Sequence, residues 1–227
     1  MTTSATLPAV RRALIVHAHP EPASFSTAQA RAVAGELLGR GVDVDYLDLY
    51  AEGFDPVLRR EQFADVPEGE PFKPQKEQVR ALGAGTLGDP VEQHLRALLD
   101  ADLLVLSFPL WWFSVPAVLK GWIDRVFVMG AAFGGDRGTF AEGGLAGKRA
   151  QLLVTTGGSP EAFAPGALDG YGSLDEFLFH LHRGVLEFTG FTVLPPVVTH
   201  APVRLDDAGR DAALSSARAG VAASLDA

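Results

Sequence analysis

Three short stretches carry residue types suited to chemistry. The first, His17-Ala18-His19-Pro20-Glu21-Pro22-Ala23-Ser24-Phe25-Ser26, joins an apolar run to a helical pattern. At such a junction the free amides of a helix N-terminus and the hydroxyls of Ser24 and Ser26 can hold a phosphate without a basic patch. An ordinary capped turn accounts for the same serines. The second, Pro109-Leu110-Trp111-Trp112-Phe113-Ser114-Val115-Pro116, places three aromatic side chains on one loop. A planar ligand, a lid or a subunit interface would take them out of water. The third, Thr155-Thr156-Gly157-Gly158-Ser159-Pro160, pairs two glycines. Their amides can approach a ligand closely and stabilise negative charge developing on it, and a structural turn is the plainer alternative.

Other motifs fall away on context. His17 and His19 leave a strand at i, i+2 and point in opposite directions, and no cysteine completes a shell, so no metal site is expected. Gly83-Ala84-Gly85-Thr86-Leu87-Gly88 matches G-x-G-x-x-G, yet no strand precedes it and Asp89-Pro90 follows. Residues 143–148 are one residue short of a phosphate loop, with Arg149 where Ser or Thr belongs. A G-x-S-x-G nucleophile elbow is missing from the sequence.

Strands and helices must position these loops. Ala13-Leu14-Ile15-Val16 and Leu103-Leu104-Val105-Leu106-Ser107-Phe108 read as strands buried on both faces. Val42-Asp43-Val44-Asp45-Tyr46-Leu47 alternates as a strand nearer an edge does, Leu152-Leu153-Val154 makes a fourth, and a fifth is expected over 192–198. Between them lie helical patterns over 26–40, capped by Ser24 or Ser26, and over 91–100. A third begins at Pro116, with Leu119, Trp122, Ile123, Val126 and Phe127 on one face. Ser173 and Glu176 form a capping box for a fourth, and a small-residue helix follows Asp206. Alternating strands and helices predict an α/β, doubly wound, five-stranded parallel sheet of flavodoxin-like order 2-1-3-4-5. Ligands then bind beyond the carboxyl ends of the strands, where the three stretches fall.

With 227 residues, 47% hydrophobic and 21% charged, the chain suits one domain over 1–227. Residues 1–10 are expected to be flexible, and 50–90, with five prolines, to form a long connection. No apolar run approaches a membrane span, so a soluble cytoplasmic protein without membrane insertion is the simple expectation. The absence of cysteine removes thiolate and disulfide chemistry, and a net charge of -9 argues against nucleic acid as a partner.

Ala18-His19 with Ser24-Phe25-Ser26, the block from Phe108 to Trp122, and Thr155-Thr156-Gly157-Gly158-Ser159 together resemble the NAD(P)H:quinone oxidoreductase family, the DT-diaphorases and their bacterial relatives. The resemblance runs from about Arg12 to Pro196. It implies a homodimer with FAD, or FMN, as cofactor, NAD(P)H as co-substrate and a quinone-like acceptor. By the family pattern His19, Ser24, Phe25 and Ser26 approach the diphosphate and adenosine part. Pro109, Leu110, Trp111, Trp112 and Phe113 with Thr155, Thr156, Gly157 and Gly158 surround the isoalloxazine, and Trp112 and Phe113 also line the site shared by nicotinamide and quinone. Hydride transfer is then ping-pong. One departure is that a Tyr and a His that assist at the reduced flavin in the animal enzymes are matched here by Phe163 and Asp169, so no acid or base is assigned, with Asp169 and Tyr171 as candidates. Residues 131–138 replace a tyrosine-rich stretch, so the rim given by the partner subunit should differ. Two other roles stay open: a flavin-binding ancillary subunit of a potassium efflux system, and a flavodoxin-like electron carrier.

Overall fold

The computed structural model describes residues 7–63, 66, 69–164, 166 and 170–226. Its strands are β1 (Arg12–His17), β2 (Asp43–Asp48), β3 (Leu103–Pro109), β4 (Arg149–Thr156), β5 (Thr192–Val193) and β6 (Val197–His200). All pair in parallel in the order β2-β1-β3-β4-β5, and β6 also pairs with β4. The helices are α1 (Phe25–Gly39), α2 (Pro74–Ala84), α3 (Val91–Asp100), α4 (Ala117–Val126), α5 (Leu174–Leu181) and α6 (Asp207–Ala222).

Strand periodicity divides the core in two. Leu14, Val16, Leu104, Leu106, Leu152 and Val154 pack beneath α3, α4 and α5, where Trp122 is fully buried. Their sequence neighbours Ala13, Ile15, Leu103, Val105 and Leu153 face Val33 and Leu37 of α1 and Ala217 and Val221 of α6. Because successive side chains point to opposite faces, strands covered by helices on both sides must be apolar throughout. Every residue of β3 and β4 is accordingly buried, whereas β2, at the edge, is half-buried. Among the described residues no helix is long and apolar enough to cross a membrane.

One expectation needs correction, and two segments gain detail. The strand expected over 192–198 is two strands, since Pro195 and Pro196 offer no amide hydrogen to the ladder between them. The connection over 50–90 holds the helix α2, whose first turn begins on Pro74 and whose end is Gly85 at φ 66°. Within 1–10, residues 1–6 lie outside the described residues, but Val10 packs against the core and the Pro8 carbonyl accepts a 2.6 Å hydrogen bond from Arg149.

Candidate functional site

A cleft of about 810 Å³ opens at the carboxyl ends of β1, β3 and β4. Ten of the thirteen residues expected around a cofactor line it: His19, Ser24, Phe25, Ser26, Pro109, Leu110, Trp111, Thr155, Thr156 and Gly157. Trp112, Phe113 and Gly158 stand outside its wall. The opposite wall, which the sequence did not reveal, comes from Pro202, Val203 and the α6 residues Asp207, Arg210, Asp211 and Leu214.

The phosphate-type loop is braced from below. Ser24 caps α1, its hydroxyl accepting from the Thr27 amide at 3.1 Å, which leaves the first-turn amides of Phe25 and Ser26 without an acceptor inside the helix. Fully buried His17 stands between Thr27 Oγ1, 3.0 Å from its Nε2, and Ser107 Oγ, 3.1 Å from its Nδ1. Burial pulls the His17 imidazole down to about 4, against an upward pull from Asp48, so at neutral pH it is an uncharged brace. His19 lines the cleft with its ring 5.8 Å from that of Trp111, its Nδ1 accepting from the Glu21 amide at 3.0 Å. It is therefore both a backbone-bonded turn histidine and a wall residue. Ser26 Oγ meets Thr155 Oγ1 at 2.6 Å, joining the first loop to the third.

The aromatic loop is a two-residue turn with both central residues at positive φ, Trp112 at 50° and Phe113 at 58°. That geometry normally selects Asn-Gly, and bulky side chains there store strain of the kind found at functional sites. Phe113 is stacked on Phe177 at 4.5 Å between centroids and meets Tyr171 edge-on at 5.3 Å. Trp112 is 97% exposed.

In the third loop the Thr156 hydroxyl donates to the Gly158 carbonyl at 2.8 Å and lies 3.0 Å from His200 Nδ1. A Cβ on Gly158 would come within 2.7 Å of the Tyr171 ring and 3.0 Å of the Phe163 ring, so packing demands glycine there. At Gly157 a Cβ would meet nothing within 4 Å, leaving its backbone open to the cleft. Phe163 is buried in the cluster formed with Tyr171, Phe177 and His200. Tyr171 is 49% exposed, and Asp169 lies outside the described residues.

The site can thus offer amides and hydroxyls to a phosphate, an aromatic surface to a planar group and glycine amides to its polar edge. A family model described as flavodoxin-like fold matches residues 11–224. Ribosyldihydronicotinamide dehydrogenase [quinone] of Pongo abelii is 38% identical over 193 residues, covering 85% of this chain and 82% of its own. NAD(P)H dehydrogenase [quinone] 1 of Rattus norvegicus is 38% identical over 199 residues, covering 85% and 70%. The solved structure of a proposed quinone reductase from Klebsiella pneumoniae superposes with a TM-score of 0.85 at 33% identity, covering 93% of this chain and 84% of that one. The chain therefore belongs to the NAD(P)H:quinone oxidoreductase family of the flavodoxin-like fold.

Proposed function

We propose that this protein is an FAD-dependent oxidoreductase that uses NAD(P)H to reduce quinones or related flat electrophiles by two electrons, in a ping-pong cycle and as a homodimer. One observation carries the reading: the first turn of α1, the start of the aromatic loop and the Thr155–Gly157 segment share a single cleft at three strand ends.

The residues present suit a flavin. Ser24, Phe25 and Ser26 would hold its diphosphate through the α1 amides and the Ser26 hydroxyl, with His19 beside them. Pro109, Leu110 and Trp111 would pack against the ring system, and Thr155, Thr156, Gly157 and Gly158 would turn donors to its polar edge. The cleft continues to Asp207, Arg210 and Leu214, which gives a second nucleotide half a wall of mixed polarity and favours FAD over FMN. When bound, the flavin supplies the hydride chemistry, taking hydride from NAD(P)H and giving it to the acceptor.

The chain's own task is to bind, orient and shield. Phe113, held by Phe177 and Tyr171, and the projecting Trp112 would form one stacking platform for nicotinamide and acceptor in turn. An indole so exposed is costly in water, which favours a second subunit closing over it. A one-electron carrier has no use for such a platform.

Purification followed by an absorption spectrum, flavin release and chromatography tests the reading. A colourless protein that neither FAD nor FMN reconstitutes overturns it. If flavin is bound but neither NADH nor NADPH bleaches it anaerobically, the reductase activity is rejected and the fold is untouched.

A further inference from the structure

We propose that His200 is a positioning residue for the Thr156–Gly158 loop, holding it through the Thr156 hydroxyl and, by binding a proton on Nε2, placing a positive charge behind it. The proposal rests on the flavin seat argued above.

The placement comes from the sheet. In the parallel register of β4 and β6, Thr156 is the partner of His200, and the Ala201 amide donates to the Thr156 carbonyl at 2.8 Å. The two side chains therefore rise on the same face of adjacent strands, and His200 Nδ1 lies 3.0 Å from Thr156 Oγ1. A hydroxyl has one proton, and that of Thr156 is given to the Gly158 carbonyl at 2.8 Å. Thr156 must then accept from His200, so Nδ1 bears hydrogen and Nε2 carries the lone pair in the neutral ring. The strand ending at His200 thereby sets the conformation of the loop that lines the cleft, a link made by residues 44 positions apart.

The charge argument follows from the same contacts. Burial holds the His200 imidazole below its ordinary value, with the Gly158 carbonyl and Glu161 pulling it back up. Among the described residues Glu161, in the short helix Pro160–Phe163, is the charged group whose field acts on the ring, which also meets the Gly158 carbonyl, the Phe163 ring at 5.6 Å and Thr156. The resting site thus carries a neutral His200 near pH 7. With flavin bound, reduction by NAD(P)H would add two electrons and one proton and release oxidised nicotinamide, so one negative charge would lie beside the loop. His200 would then take one solvent proton on Nε2 and return it to solvent when the acceptor is reduced. The loop amides and the imidazolium act on the same charge from one side.

The test uses flavin-loaded protein, oxidised and then reduced with dithionite. Nitrogen-15 NMR should find the Nδ1–H tautomer of His200 in the oxidised protein, and its titration midpoint should rise by about one pH unit or more on reduction, a tenfold gain in proton affinity. His200→Asn keeps a donor near the Nδ1 position without a titrating group. It should retain flavin with a dissociation constant within about threefold and lose the His200 share of the pH dependence of the flavin midpoint potential. His200→Ala, which also loses the tether, should weaken flavin binding further. A titration midpoint unmoved by reduction, or a His200→Asn potential that tracks pH as the parent does, overturns the His200 role alone. A parent protein that binds no flavin overturns the cofactor reading and this one with it.

Discussion

Trp111 and Ser114 exchange two backbone hydrogen bonds, each 3.0 Å long, and so close a turn whose only central residues are Trp112 and Phe113. Both central residues sit in the left-handed region, where a non-glycine side chain costs on the order of 1–3 kcal/mol. Asparagine is at home in the first of these positions. Trp112→Asn should therefore raise the stability of the flavin-free protein by about 1 kcal/mol and lower kcat/KM for quinone by about tenfold or more. Thermal melts and steady-state kinetics check the two halves separately. A variant that gains no stability refutes the strain, and unchanged kinetics refute the platform.

The turn also marks what the sequence could and could not disclose. Three loops at three strand ends were legible because apolar runs and helical spacing are local patterns, and each loop interrupts one. Side-chain type announced an aromatic surface, but nothing local announced that Trp112 would leave the cleft while Trp111 lined it. The α6 wall was hidden for another reason. Asp207, Arg210 and Asp211 belong to a small-residue helix that reads as a solvated face, and only the crossover from β6 carries it back over α1. In α2 the buried set is Glu77, Gln78 and Ala81, so an apolar period never forms. His200 gave no signal, since its role depends on a register that joins it to Thr156.

His17 makes folding sensitive to acid in a defined window. Its folded value is lowered to about 4 from 6.5, chiefly by burial. Above about 6.5 the histidine is neutral in both states and costs nothing; as pH falls from there towards 4 the unfolded chain takes up a proton that the folded one refuses, so stability drops. Below about 4 both states are protonated and the loss levels off, at about 3 kcal/mol in total. His94, His182 and His200 are lowered too, so the comparison must be differential. Urea unfolding at pH 7 and pH 4.5 should show the parent losing more stability than His17→Gln over that interval. Equal losses would mean that His17 is charged in the folded protein.

Gly121 tests how the site's supporting helix is seated. A Cβ there would overlap the Pro56 carbonyl and Cα, and the Arg125 guanidinium, bonded to the Asp55 carbonyl at 2.6 Å, keeps that segment from retreating. Gly121→Ala should cost about 3 kcal/mol in urea unfolding, with the slope unchanged. Gly35→Ala, on the exposed side of α1 with nothing within 4 Å of its Cβ, should instead gain up to about 1 kcal/mol. Similar effects at the two positions would show that helix propensity, rather than the approach to Pro56, governs both.

Gly157 separates binding from folding. In the flavin-free protein an added Cβ meets no atom within 4 Å, and the backbone is not held at positive φ, so Gly157→Ala carries neither a clash nor a strain cost. The same residue lines the cleft, where a methyl group would occupy the space a ring edge needs to reach the loop amides. Melting of the flavin-free variant should match the parent within about 0.5 kcal/mol, while its FAD dissociation constant should rise by about tenfold or more. Gly158→Ala should behave oppositely in part, because its Cβ would push on the Tyr171 and Phe163 rings and lower stability as well. Equal flavin affinity in Gly157→Ala and the parent would place the ring system elsewhere than against this loop, and would leave the open face of Gly157 without a ligand to explain it.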